Sequence, residues 1–294
     1  MPLVPVRSLL AHAERHSYAV GAFVCMNLEM VTAAIAAAQA EASPVVIRVH
    51  PEVRAVHALA TMGAVVAHLA GRSTVPVGLS LDHGATLGDV AEAISAGFGA
   101  VMIDAAEQPL DANVRITRQV ADFAEPLGVI VEAAIGHMPH GAQQAEADLA
   151  DVDEAVRLVR EGGANILAPA VGNVHGTAHG EAKAEPRLDT ERIRALREAT
   201  GVPVCLHGGS SIPAQQMRSA VAAGTRMVIV YSDVVTAFDR ELRRVLGQGD
   251  EGVNVILALE PATHAARDVI RGKLRDFGSA GRAAAWHAGG TRDG

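Results

Sequence analysis

Short apolar runs alternate along the chain with longer stretches in which Ala, Val and Leu recur at helical spacing. Strands are predicted at 18–24, 44–49, 75–81, 100–103, 128–135, 165–171, 203–207 and 227–232. Flanking Gly and Pro and β-branched content favour strand over buried helix in these runs. Helices are predicted between them at 28–41, 52–70, 86–96, 110–125, 152–161, 189–199 and 213–222, with another starting near Asp233. Residues 253–277 read as a tail helix, or as two helices split near Pro261. Eight strand–helix units in one chain predict an α/β fold, a (β/α)8 TIM barrel with a C-terminal helical extension. A doubly wound open sheet is the alternative. It is disfavoured because GAFVCMN, after the first strand, has no G-x-G-x-x-G fingerprint. No linker divides the chain, so residues 1–294 are expected to form one domain, with 278–294 a partly flexible tail.

Composition narrows the function. Apolar residues make up 49% of the 294, enough for a large core, whereas aromatics are only 3%. Ala, Val, Ile, Leu and Gly must therefore carry the packing, as in buried parallel strands. The net charge of −8 comes with no basic block, which argues against a nucleic-acid partner. No apolar run has the length of a membrane span and the start of the chain lacks an export pattern, so a cytoplasmic protein is expected. Cys25 and Cys205 lie in apolar strand-like runs, which favours reduced thiols packed in the core over a disulfide.

In such a barrel, chemistry gathers at the C-terminal ends of the strands. LSLDHGATL, residues 79–87, runs from apolar positions straight into Asp82 and His83. That pair is either surface polarity or the mouth of a site. Asp104 ends the fourth predicted strand and Glu132 lies in the fifth. Of the 13 histidines, seven fall at these ends: His50, His83, His137, His140, His175, His179 and His207. His83, His175 and His207 each precede a glycine, as do His140 and His179. Imidazoles from separate strands can converge on one metal, although no short-spaced metal motif is present.

These segments resemble the class II fructose-1,6-bisphosphate and tagatose-1,6-bisphosphate aldolases. The match runs through GAFVCMNLEM, the LSLDHG to VMIDAA region, AVGNVHGTAHG, VCLHGGSS and ARDVIRGKLRDFGSAGRA, in the family's order. The resemblance implies an enzyme, an aldehyde-lyase that uses Zn2+ or another divalent metal and cleaves or forms a C–C bond next to a ketose carbonyl. His83, His175 and His207 match its metal ligands, with Asp104 a carboxylate near the metal or at an alternate metal position. Asp82 matches its catalytic acid. Asn27, Gly176, His179, Gly208, Gly209, Ser210 and Ser232 match substrate- or phosphate-binding positions, where a monovalent cation (Na+ or K+) often accompanies the phosphate. The implied partners are a sugar phosphate, or a ketone and an aldehyde, and a second or fourth copy of the chain in a homodimer or homotetramer.

The sequence also departs from the family pattern. Gly84 replaces a second histidine, Ala106 a serine, Val24 an asparagine and Ala134 a glutamate. Ile229 and Tyr231 stand in the run that carries a substrate-binding asparagine, and His179 replaces a basic residue. HMPHGAQQ replaces the loop that supplies an acidic proton shuttle, which makes His137 and His140 the candidate proton carriers. The changes fall on substrate and shuttle positions and spare Asp82 and the three histidines. The substrate is therefore expected to differ from ordinary fructose 1,6-bisphosphate. A metal-dependent epimerase or isomerase, or a non-catalytic ligand-binding homologue, is the alternative.

Overall fold

The computed structural model describes residues 3–138, 149–174, 186–210, 212–247, 254–284 and 286. His140, His175, Gly176 and His179 lie outside the described residues.

Eight parallel strands close into a barrel in chain order. They are β1 (Val20–Val24), β2 (Val45–Val49), β3 (Val77–Gly84), β4 (Ala100–Ile103), β5 (Ile130–Ile135), β6 (Ile166–Pro169), β7 (Val204–Leu206) and β8 (Thr225–Val230). The intervening helices are α2 (Leu28–Ala40), α3 (Leu59–Gly71), α4 (Leu87–Ser95), α5 (Leu110–Ala124), α6 (Val152–Arg160), α7 (Thr190–Thr200) and α8 (Ala214–Ala223). Their Ala- and Val-rich faces pack with the outward strand residues into the larger hydrophobic cluster. The predicted helix at 52–70 is instead a 3-10 turn at Pro51–Ala55 followed by α3. Pro51 opens the turn and the His50 side chain accepts from the Glu52 N–H.

Strand alternation sorts the inward side chains into layers. The lower layers are apolar, with Val20, Ala22, Val46, Ala100, Ile130, Ile166, Cys205 and Met227 in one cluster. A helix that the periodicity did not predict, α1 (Val6–His16), plugs the N-terminal end of the barrel by adding Val6, Leu9 and Leu10 to that cluster. Gly78 makes room for it, because a Cβ there would sit 2.9 Å from Leu9 Cδ1. Two further helices, α9 (Ser232–Leu246) and α10 (Val255–Asp276), form the C-terminal extension. Pro261 does not split α10. Ala258, Ala262, Ala266, Ile270 and Leu274 form one buried ridge that continues past the proline. The carbonyl that loses its donor belongs to exposed Leu257, where water can satisfy it. Cys25 and Cys205 are buried free thiols. Among the described residues, no helix is long and apolar enough to cross a membrane.

Candidate active site at the C-terminal mouth of the barrel

Regular alternation would send Asp82 and His83 to opposite faces of β3. The strand avoids this with a register shift against β4 between Leu81 and Gly84. His83 takes a φ of 42° there, a left-handed conformation rare for a residue with a side chain. The irregularity turns both neighbouring side chains toward the same mouth. It also explains Gly84, since a Cβ at this position would lie 2.8 Å from the Met102 carbonyl oxygen. Asp82 is not the cap of α4. Thr86 fills that role, in a capping box with Asp89.

Asp82, His83 and His207 come together so that one donor atom of each lies within 4.8 Å of the others. The His83 and His207 rings meet edge to face with centroids 5.0 Å apart. Each imidazole is held from behind by a carboxylate. Asp104 Oδ2 lies 2.7 Å from His83 Nδ1, and Glu132 Oε1 lies 2.7 Å from His207 Nε2. A carboxylate partner fixes the N–H on the nitrogen that it touches. The opposite nitrogen, Nε2 of His83 and Nδ1 of His207, then carries the lone pair in the neutral ring. Two imidazoles with fixed tautomers beside an ionised acid form a donor set that suits a divalent ion, and His175 falls outside the described residues.

The electrostatics centre on Arg48, which sequence reasoning missed. This residue is fully buried on β2, two positions beyond the apolar Val46. Its Nε lies 2.9 Å from Asp82 Oδ1 and its Nη1 2.7 Å from Glu132 Oε2. Nη2 donates to the Leu81 carbonyl at 3.2 Å and faces Met102 Sδ at 3.5 Å. The Nε–Asp82 contact is a close pairing of charges and not an aligned hydrogen bond, since neither atom has a hydrogen-bond partner among the described residues. Burial works against the charge on Asp82, but Arg48 and then the histidines outweigh it and hold the carboxyl below the usual range. The same opposition acts on Glu132, where burial is overcome by Arg48 and His207 and the carboxyl is drawn down to about 2. Burial lowers His207; it also works against the charge on His83, but the Asp104 hydrogen bond together with the charges of Asp82 and Asp104 outweighs it and raises that imidazole. The site therefore holds ionised carboxylates that a neutral pocket of this depth would protonate.

The remaining predicted residues take several positions. Ser210 Oγ accepts from the N–H groups of Tyr231 and Asp233, which ties the loop after β7 to the start of α9. Ser232 is buried in the first turn of α9. Gly208 has a φ of 69°, and its missing Cβ leaves room for the Val174 carbonyl oxygen. A Cβ at Gly209 would lie 2.4 Å from the Val228 side chain and 2.7 Å from the Ile229 carbonyl oxygen of the neighbouring strand. Both glycines are thus explained by backbone approach. Lys273 of α10 reaches this loop, 3.3 Å from the Gly209 carbonyl and 2.7 Å from Asp233. Asn27 caps α2 by accepting from the Met30 N–H. His137 is exposed after β5 and pairs with Glu107 at 2.9 Å. Two of the departures from the family pattern meet in space. Ala106 and Ala134 pack with Met102 and Ala168 in a small apolar cluster.

A parallel barrel that brings an acid and two carboxylate-held imidazoles together at its C-terminal mouth can place a proton-transfer group beside a candidate cation site. A family model described as fructose-bisphosphate aldolase class-II matches residues 4–282, and the chain belongs to that family of lyases. It is 38% identical to a fructose-bisphosphate aldolase of Geobacillus stearothermophilus, covering 97% of this chain and 100% of the relative. It is 36% identical to a 6-phospho-5-dehydro-2-deoxy-D-gluconate aldolase of Bacillus subtilis, covering 98% and 100%. Among solved structures, the YdjI aldolase of Escherichia coli K12 superposes with a TM-score of 0.84 at 27% identity, covering 96% of this chain and 99% of that one.

Proposed function

We propose that the chain is a metal-dependent aldolase that cleaves or forms the C–C bond next to a ketose carbonyl, with a substrate other than ordinary fructose 1,6-bisphosphate. The single observation that carries this reading is the convergence of Asp82, His83 and His207 within 4.8 Å. His83 and His207, joined by His175, would hold a divalent ion, Zn2+ first among the candidates. When bound, that ion would polarise the ketone and stabilise the negative charge left by C–C cleavage. Asp82 exchanges a proton with the hydroxyl of the carbon being cleaved. Arg48 keeps it ionised and able to accept. Asp104 and Glu132 orient the two imidazoles. His137 and His140 serve as proton carriers in place of the family's acidic loop.

The substrate reading rests on residues that have lost polarity. The Ala106–Ala134 cluster is apolar where the family pattern has a serine and a glutamate, and Ile229 replaces an asparagine. Losing a lysine and an asparagine near the phosphate, where His179 and Ile229 stand, weakens its binding by about 1.5–3 kcal/mol per charge-assisted contact. A modified sugar phosphate or an unphosphorylated ketone donor fits these changes. Gly208, Gly209, Ser210 and Ser232, with Gly176, would line any phosphate site, and a monovalent cation could accompany it. Two relatives of nearly equal similarity carry different substrates in their names, so overall similarity does not set the substrate.

The test is a screen of metal-loaded protein against ketose phosphates, and against ketone donors paired with aldehydes, with the products identified. Two carbonyl fragments from one ketose, or one condensation product, are expected. A single isomeric product would replace this reading with an epimerase or isomerase.

A further inference from the structure

Arg48 belongs to none of the motifs that identify the family, yet its side chain reaches both Asp82 and Glu132. Its guanidinium uses all three nitrogens on four other strands. Nε faces Asp82 on β3, Nη1 faces Glu132 on β5 and approaches Cys205 Sγ on β7 at 4.0 Å, and Nη2 takes Leu81 O on β3 and Met102 Sδ on β4. Glu132 in turn holds His207 at 2.7 Å. A planar fork holds its partners in fixed directions from separate nitrogens, whereas a lysine ammonium offers three rotating donors from one point.

Stability alone does not explain this group. Taking each ion out of water costs several kcal/mol, and well-packed apolar side chains of similar volume usually serve as well or better. The layer below, with Val46 in the same strand face, is filled in that way. We propose that Arg48 is a positioning residue. Its guanidinium sets the orientation of Asp82 directly and that of His207 through Glu132, and so fixes the acid and a metal ligand to one another. This inference deepens the aldolase reading and rests on it for the roles of Asp82 and His207.

The test compares wild type with Arg48→Lys and Arg48→Met. In metal-free protein labelled with 15N-histidine, the His207 Nε2–H signal, assigned by its absence in His207→Gln, should be seen in wild type. It should vanish into exchange in Arg48→Met. In cobalt-loaded protein the visible absorption bands should change shape in Arg48→Met and be partly restored in Arg48→Lys. Turnover should fall about 100-fold or more in Arg48→Met, with KM changed by less than about 3-fold. If Arg48→Met does not fold, Arg48→Lys carries the comparison, because it keeps the charge and loses the fork. A folded variant with the wild-type histidine signal, cobalt spectrum and turnover overturns the proposal. Failure of wild type to bind cobalt would sink the metal reading, while the metal-free histidine signal would still decide the role of Arg48.

Discussion

Glu132 Oε1 lies 2.7 Å from His207 Nε2, and the other oxygen of the same carboxylate lies 2.7 Å from Arg48 Nη1. One buried carboxylate therefore sets both the tautomer of an imidazole and the environment of a guanidinium. Glu132→Gln keeps the shape but puts an amide, which is partly a donor, between two donors. Metal affinity should fall about 10- to 100-fold, the usual effect of losing the carboxylate behind a metal-binding histidine. Titration of apo protein with a divalent ion measures it. An unchanged affinity would remove Glu132 from the site.

Asp82→Asn should separate proton transfer from metal binding. Turnover should drop about 10²- to 10⁴-fold, as expected when a positioned general acid or base is lost. Metal content, measured on the same preparation, should stay at the wild-type level. Loss of the metal together with the activity would make Asp82 a ligand and not a proton carrier.

His137→Gln and His140→Gln test the shuttle. His137 is exposed and paired with Glu107, so its replacement should leave folding and metal content intact. Lower turnover in either variant is expected. Wild-type turnover in both would leave proton exchange with water to some other group.

Much of this arrangement was legible in the sequence, and the parts that were not have physical reasons. β4 falls where the apolar run AVMI predicts, and Asp82, His83 and His207 reach one mouth as strand-end positions should. Arg48 was hidden because its partners lie 34 and 84 residues away in the chain. The available signal was one charge at an inward position of an otherwise apolar strand, VVIRV. The irregularity at His83 was equally silent, because it depends on pairing with β4 and not on local composition. Helix α1 was missed because its apolar face packs on the barrel end and belongs to no strand–helix unit.

Gly208→Ala tests whether the glycine after His207 is there for the backbone. The positive φ and the nearby Val174 carbonyl both oppose a side chain. A loss of about 1–3 kcal/mol, seen as a lower midpoint of unfolding, is expected. A neutral effect would indicate that the loop relaxes freely.

At the opposite end of the barrel, His12 Nδ1 lies 2.9 Å from the Tyr18 hydroxyl, and His12 Nε2 meets no hydrogen-bond partner among the described residues. Burial, then the charges of His16, Arg15 and Arg282, lower this imidazole from 6.5 to about 4. Between those values the unfolded chain binds a proton that the folded chain does not. His12 therefore contributes stability above pH 6.5 that is lost as the pH falls toward about 4. Thermal unfolding followed over that range should decline less steeply for His12→Phe than for wild type. Equal slopes would show that the folded protein accepts the proton without penalty.

If Asp82, His83 and His207 form a metal-dependent lyase centre, activity must follow the metal. The most direct measurement is turnover against bound metal in one set of samples, from chelator-stripped to fully reloaded, on the best ketose of the screen. Turnover should rise in proportion to occupancy, reaching zero in stripped protein and in His207→Ala at every metal concentration. Stripped protein that turns over at the reloaded rate would contradict that dependence.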